Sequence, residues 1–128
     1  MEASLHAEQT RKDLARTVTS LFDKWGLEGE QQAQLLGMPG NGPEACAEYR
    51  AGQQALPDEP ETLDRVGYLL GIHAGLRLLF PEDEAIRFGW VKMRNQSLDG
   101  RTPLDVMLSE GLVGVARVAR LVDFQGGR

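Results

Sequence analysis

Few side chains in this 128-residue chain have the chemistry to act on a substrate. Cys46 and His73 would make a nucleophile and its base in principle. No third group orients the histidine, however, and no turn beside them is built to hold an oxyanion. Cys46 falls in the alanine-rich stretch Ala45-Cys46-Ala47, which reads as a small buried thiol. His6 lies in a polar leading segment and reads as solvated. His73, between Gly71 and Gly75 in an apolar helix, reads as a packed side chain with its polar edge satisfied. Two histidines and one cysteine without paired spacing do not compose a zinc site. The acidic run Glu82-Asp83-Glu84 follows Pro81, where negative charge supports a helix start, and this role outweighs a metal site. The glycines are dispersed as helix stops and form neither a phosphate loop nor a dinucleotide fingerprint. No catalytic residue, metal or cofactor is expected. The chain is read as one that works by occupying a surface.

Composition agrees with a small globular protein: 41% hydrophobic and 26% charged residues are ordinary values. No apolar run approaches the roughly 18 residues that a membrane helix requires, and no basic-then-apolar signal opens the chain. One cysteine cannot close an internal disulfide and suits a reducing compartment. A cytoplasmic location without membrane contact is therefore expected. A formal net charge of −5 argues against bulk electrostatic attachment to nucleic acid.

Helical periodicity runs through the chain and strand alternation is absent, so the expected class is all-α. Apolar positions predict a first helix over 10–25 (Leu14, Val18, Leu21, Phe22, Trp25) ended by Gly26, and a second from about Glu28 to Gly37. Breakers at 38–42 precede a third helix from Pro43 to Ala51, and 53–58 form a connector. A fourth helix begins at Pro60 or Thr62 and carries Leu63, Val66, Leu69, Leu70, Leu76, Leu79 and Phe80. A fifth over 82–95 presents Ala85, Ile86, Trp90 and Met93 at helical spacing. A short helix over 103–109 and a last one with Val115, Val118, Ala119 and Val122 follow, separated by a turn between Gly111 and Gly114. The expected division is a helix-turn-helix-like N-terminal region, 1–58, and a C-terminal helical domain, 59–128.

The run from Trp90 to Gly111, W-V-K-M-R-N-Q-S-L-D-G-R-T-P-L-D-V-M-L-S-E-G, is the most informative stretch. Thr102 is placed to accept a first-turn N–H, and Pro103 sits where a missing N–H is harmless. Asp105 puts negative charge at the positive end of the dipole and is placed to complete a capping box. Gly100 supplies the positive φ of the preceding turn. This run resembles the toxin-binding segment of the Xre/MbcA/ParS antitoxins, which reads roughly W-L-R-T-P-N-P-A-L-G-G-R-S-P-L-D-L-L. Without gaps the chain keeps Trp90, Asn95, Leu98, Gly100, Arg101, Pro103, Leu104 and Asp105. Arg94, Gln96 and Asp99 depart from Pro, Pro and Gly. The resemblance implies an antitoxin that binds and neutralises a RES-domain, NAD-consuming toxin by covering its active-site entrance, and that in many relatives also represses its own operon. Its expected partners are that toxin and a second copy of itself. The residues expected to meet the toxin are Arg94, Asn95, Gln96, Leu98, Arg101, Arg117, Arg120 and Arg128, with the rest of the tail from Asp123. Arg101 has two readings, a fork on a toxin carboxylate or a tie within its own chain, and the second is favoured.

Helix-turn-helix grammar is present upstream: Leu35-Leu36-Gly37-Met38, a turn, then a helix ending Tyr49-Arg50-Ala51-Gly52. The same antitoxins resemble this pattern. The residues best suited to DNA are Asn41 and Arg50, with Arg11, Lys12 and Arg16 as further phosphate contacts. Glu44 and Glu48 on the recognition helix oppose a phosphate backbone, so operator DNA is the less favoured partner. The alternative reading is a helix-turn-helix transcription regulator whose C-terminal domain only dimerises.

Overall fold

The computed structural model of the chain describes Ser4, residues 6–38 and residues 42–125. Its helices are α1 (Glu8–Lys24), α2 (Gly29–Leu35), α3 (Gly42–Arg50), α4 (Pro60–Leu79), α5 (Glu84–Gly89) and α6 (Pro103–Gln125), with single 3-10 turns at Trp90–Lys92 and Gln96–Leu98. Among the described residues there is no strand, only one isolated antiparallel bridge between Asn95 and Arg101. The class is all-α, as the periodicity required. Among the described residues, no helix is long and apolar enough to cross a membrane. The chain forms two compact units, residues 1–66 and 67–128, with the boundary inside α4.

In the first unit α3 packs on α1 and α2 around Val18, Phe22, Trp25, Leu35, Leu36, Cys46 and Tyr49, all buried. The Glu28 N–H donates to Gln31 Oε1 at 2.9 Å, one half of a capping box that starts α2. A Cβ on Gly42 would stand 2.4 Å from the Ala33 methyl group, so the first residue of α3 must be glycine for α2 to approach this closely. A polar knot joins the three helices. Arg50 forks onto Asp23, Nε to Oδ2 at 2.7 Å and Nη2 to Oδ1 at 3.0 Å, and also donates to Gln32 Oε1 at 2.9 Å. Gln32, itself buried, donates to the Leu27 carbonyl at 3.0 Å. The connector is pinned to α1 by Arg11 Nη1 on the Leu56 carbonyl at 2.7 Å.

In the second unit Leu69, Ile72, Leu76, Trp90, Val91, Leu98, Leu104, Val106, Met107, Val115, Val118 and Val122 are buried. A Cβ on Gly75 would fall 2.3 Å from Val122 Cγ1, so α4 and α6 cross where one of them has no side chain. Asp83 caps α5 by accepting from the Ile86 N–H at 3.1 Å, which gives the acidic run after Pro81 its structural role.

Two expectations need correction. The helix proposed over 82–95 ends at Gly89 and passes through the 3-10 turn at Trp90–Lys92 into extended backbone at Met93, φ −98° and ψ 140°. Helix could not continue there, because Asn95 must face Arg101 across the bridge. Met93 accordingly points outward, 50% exposed, and Ala85 is exposed as well. The turn expected between Gly111 and Gly114 is a break at Gly111 alone, φ 66° and ψ −145°. Gly114 lies buried beyond the break, and its Cβ would meet the Val106 carbonyl oxygen at 2.4 Å.

Candidate functional site

The loop between α5 and α6 is organised by one residue, Asn95. Its N–H donates to the Arg101 carbonyl at 3.0 Å, and its own carbonyl accepts from the N–H groups of Leu98 and Gly100, each at 3.0 Å. Its side-chain oxygen accepts from the Ser97 N–H at 2.9 Å. The intervening turn needs two left-handed residues, Asp99 at φ 58° and Gly100 at φ 80°. Gly100 adopts this at no steric penalty, and aspartate is among the few side chains that tolerate it. Leu98, buried, anchors the loop from below. At the start of α6, Thr102 Oγ1 accepts from the Asp105 N–H at 3.0 Å and Pro103 is the first helical residue, as read, but the Asp105 carboxylate turns to Arg101 instead of completing a capping box.

Arg101 ties this loop to both segments of α6. Its Nε reaches Asp105 Oδ2 at 3.3 Å and its Nη1 reaches Glu110 Oε2 at 2.8 Å, while Nη2 bonds the Ser109 hydroxyl. The Asp105 carboxylate is thus turned to Arg101. Glu110 is shared, because Arg117 Nη1 donates to both its oxygens at 3.2 and 3.4 Å. The chain from Arg101 through Glu110 to Arg117 therefore spans the break at Gly111. The hydrogen bonds that Arg101 donates to Glu110 and then to Asp105 raise its pKa. Of the two roles open to Arg101, the intramolecular tie is the one formed.

The remaining positions sort by exposure. Arg94 and Gln96 stand outward on the loop, and Arg120 outward on α6. Arg117 is half-buried by its pairing. Asn95 and Leu98 face their own loop, so their part is to fix its shape. Arg128 lies outside the described residues. Beside the loop is a concavity of about 470 Å³ lined by Ser97, Leu98, Arg117, Arg120, Leu121, Asp123 and Phe124. Glu110 and Leu121 were not singled out in the sequence. The seven-residue step from Glu110 to Arg117, two turns along one face once the break is known, was the available signal.

The first unit offers less to a phosphate backbone. It carries twelve acidic against six basic residues, net −6, whereas residues 67–128 carry seven against eight, net +1. Arg50 is committed to Asp23 and Gln32, and Arg11 to main-chain carbonyls. Lys12 pairs with Glu8 at 3.6 Å. Asn41 lies outside the described residues. The outer surface of α3 opens on a concavity of about 380 Å³ with Glu44 and Glu48 at its wall. Cys46 is buried in this unit, and desolvation raises its pKa. His73 belongs to the second unit, stacked on Phe88 with centroids 5.6 Å apart. Among the described residues, no group of His, Cys, Asp and Glu could hold a metal ion.

Residues 75–125 match the family described as the antitoxin Xre/MbcA/ParS C-terminal toxin-binding domain. The chain belongs to the Xre/MbcA/ParS antitoxins. The antitoxin is also 32% identical over 107 residues to a Sinorhizobium fredii (strain NBRC 101917 / NGR234) protein named uncharacterized protein y4oB, covering 84% of this chain and 79% of that one. No solved structure matches it. The closed Asn95–Arg101 loop, the Arg101 clamp and the concavity all lie within the matched segment, so the antitoxin's toxin-binding domain contains the most organised surface of the second unit.

Proposed function

We propose that this antitoxin neutralises a RES-domain toxin by seating the loop at 94–101 and the outer face of α6 over the entrance to the toxin's NAD-binding site. The observation that carries the reading is the Arg101 clamp: three side chains of α6 hold the loop in one shape before any partner arrives. A surface fixed in advance loses little conformational entropy on binding. The chain acts without catalysis, in the cytoplasm where its toxin would consume NAD⁺, and the expected homodimer is part of this reading. Residues 59–128 supply the toxin-binding part, and Arg94, Gln96, Arg117 and Arg120 make the contacts.

The test is co-expression. The toxin encoded beside this chain should arrest growth alone and be silent with the full chain present, with NAD⁺ levels restored. Continued arrest and NAD⁺ loss in the presence of the chain would sink the reading. Light scattering on the purified antitoxin measures the homodimer directly. Operator repression is the less favoured part of this reading, since the net charge of the first unit and the committed Arg50 both oppose phosphate contact.

A further inference from the structure

The second half of α6 carries an unusual face. Arg117, Arg120, Leu121 and Phe124 recur at spacings of three and four, so they share one side of the helix. Val115, Val118 and Val122 occupy the opposite, buried side. Phe124 is 78% exposed, and with Leu121 and Leu98 it gives the concavity beside the loop an apolar floor. A large aromatic ring held in water at the mouth of a concavity marks a surface awaiting cover. The rim is charged: Arg117 spends one nitrogen on Glu110. Arg120 forms no hydrogen bond or ion pair among the described residues. Asp123 is the acidic member of the rim and has an interaction of its own. Two guanidinium groups thus flank the floor against one carboxylate.

We propose that this groove receives a segment of the toxin in which an apolar side chain is followed or preceded, within a turn, by a carboxylate. The apolar side chain covers Phe124 and Leu121, and the carboxylate meets the guanidinium forks of Arg120 and Arg117. An arginine fork matches a carboxylate in two parallel hydrogen bonds, which fixes the direction of the incoming segment as well as adding attraction. A nucleic-acid strand fits less well, because it calls for a run of cations and this site offers two beside an acid. Glu110 is the positioning residue, because it holds Arg117 against the groove wall while drawing Arg101 onto the loop. The inference rests on the toxin-binding reading above and specifies which part of the surface does the recognising.

The experiment is calorimetric titration of the 128-residue antitoxin chain with the purified, catalytically silenced RES-domain toxin encoded beside it, repeated at two salt concentrations. Phe124→Ala should weaken binding about tenfold or more, the range expected for an aromatic anchor at an interface. Arg120→Glu should weaken it further and flatten its salt dependence, because a favourable charge pair becomes a repulsion. Arg77→Glu, an exposed arginine on α4 outside the groove, should stay within about twofold of the unaltered chain. Circular dichroism on each variant confirms that the helices persist. If both groove variants bind like the unaltered chain, the groove is overturned while the toxin-binding reading stands. Loss on Phe124→Ala with no effect of Arg120→Glu overturns the carboxylate. Failure of the unaltered chain to bind overturns both the groove and the reading beneath it.

Discussion

Arg101 Nη1 donates to Glu110 Oε2 at 2.8 Å across nine residues of sequence. This contact converts a loop and two helical segments into one rigid feature, because Glu110 is the last residue before the Gly111 break and also accepts from Arg117 beyond it. An exposed ion pair alone contributes little to stability. Its worth here is geometric: it fixes the angle at which the loop and the outer face of α6 meet the partner.

Glu110→Gln should separate these two effects. The amide keeps the shape but removes the charge shared by Arg101 and Arg117. The unfolding midpoint should barely move, since the pairs are partly solvated. Toxin affinity should fall about tenfold, because binding must then restore the geometry. Thermal unfolding beside calorimetric titration checks both. A large drop in midpoint with unchanged affinity would show that the clamp serves the fold and not the interface.

Asn95 offers a finer cut. Its side-chain oxygen accepts from the Ser97 N–H, and aspartate retains that acceptor whereas alanine does not. Asn95→Ala should lose about 1 kcal/mol of stability, as for other side-chain caps of backbone N–H groups. Asn95→Asp should lose much less. Hydrogen exchange at the Ser97 and Gly100 amides is the matching local readout, faster in the alanine variant. Equal stability of the two variants would mean that the main-chain bonds of Asn95 alone close the loop.

How far the sequence reached is explained by the range of the forces concerned. Helix ends are set by residues within one turn, so Thr102, Pro103, Gly100 and the acidic residue at Asp83 could be read directly. At Met93 the period of 3.6 no longer holds, because a long-range bridge, Asn95 to Arg101, takes over the backbone. Leu98 shows the same limit in the site: its place within the motif suggests contact, but the side chain is buried as the loop's anchor. Arg50, singled out for DNA, is committed to Asp23, twenty-seven residues earlier, a pairing that no local pattern announces. Phe124 stood at an apparent tail, and only the continuation of α6 to Gln125 places it beside Ser97 and Leu98.

Gly75 and Val122 make a test of the second unit's packing. A methyl group at Gly75 would overlap Val122 Cγ1, and a packed core accommodates such an intrusion only by shifting the helices. Gly75→Ala should therefore destabilise by about 1–3 kcal/mol despite alanine's better helix propensity. Gly75→Ala combined with Val122→Ala should recover part of that loss, since the clashing methyl group is removed. Denaturant unfolding of the four members of the cycle measures the coupling. Additive losses would contradict the close crossing of α4 and α6.

Cys46 predicts a pH dependence for the first unit. Burial disfavours its thiolate and raises its pKa, with Arg50 opposing this and Asp23 adding to it. The folded state therefore keeps the proton to higher pH than the unfolded chain, whose thiol titrates near about 8.5. Below that value both states hold the proton and stability does not depend on this group. Above it the unfolded chain releases its proton first, so stability declines as pH rises until the folded thiol also titrates. Buried Tyr49, raised by the same cause, adds a second decline at still higher pH. Denaturation at intervals between pH 7 and 10 should show a falling midpoint that flattens in Cys46→Ala over the thiol's range. The unaltered chain should also react slowly with a thiol reagent at pH 8, at a rate rising with denaturant. Rapid labelling under native conditions would place Cys46 at the surface and contradict its burial.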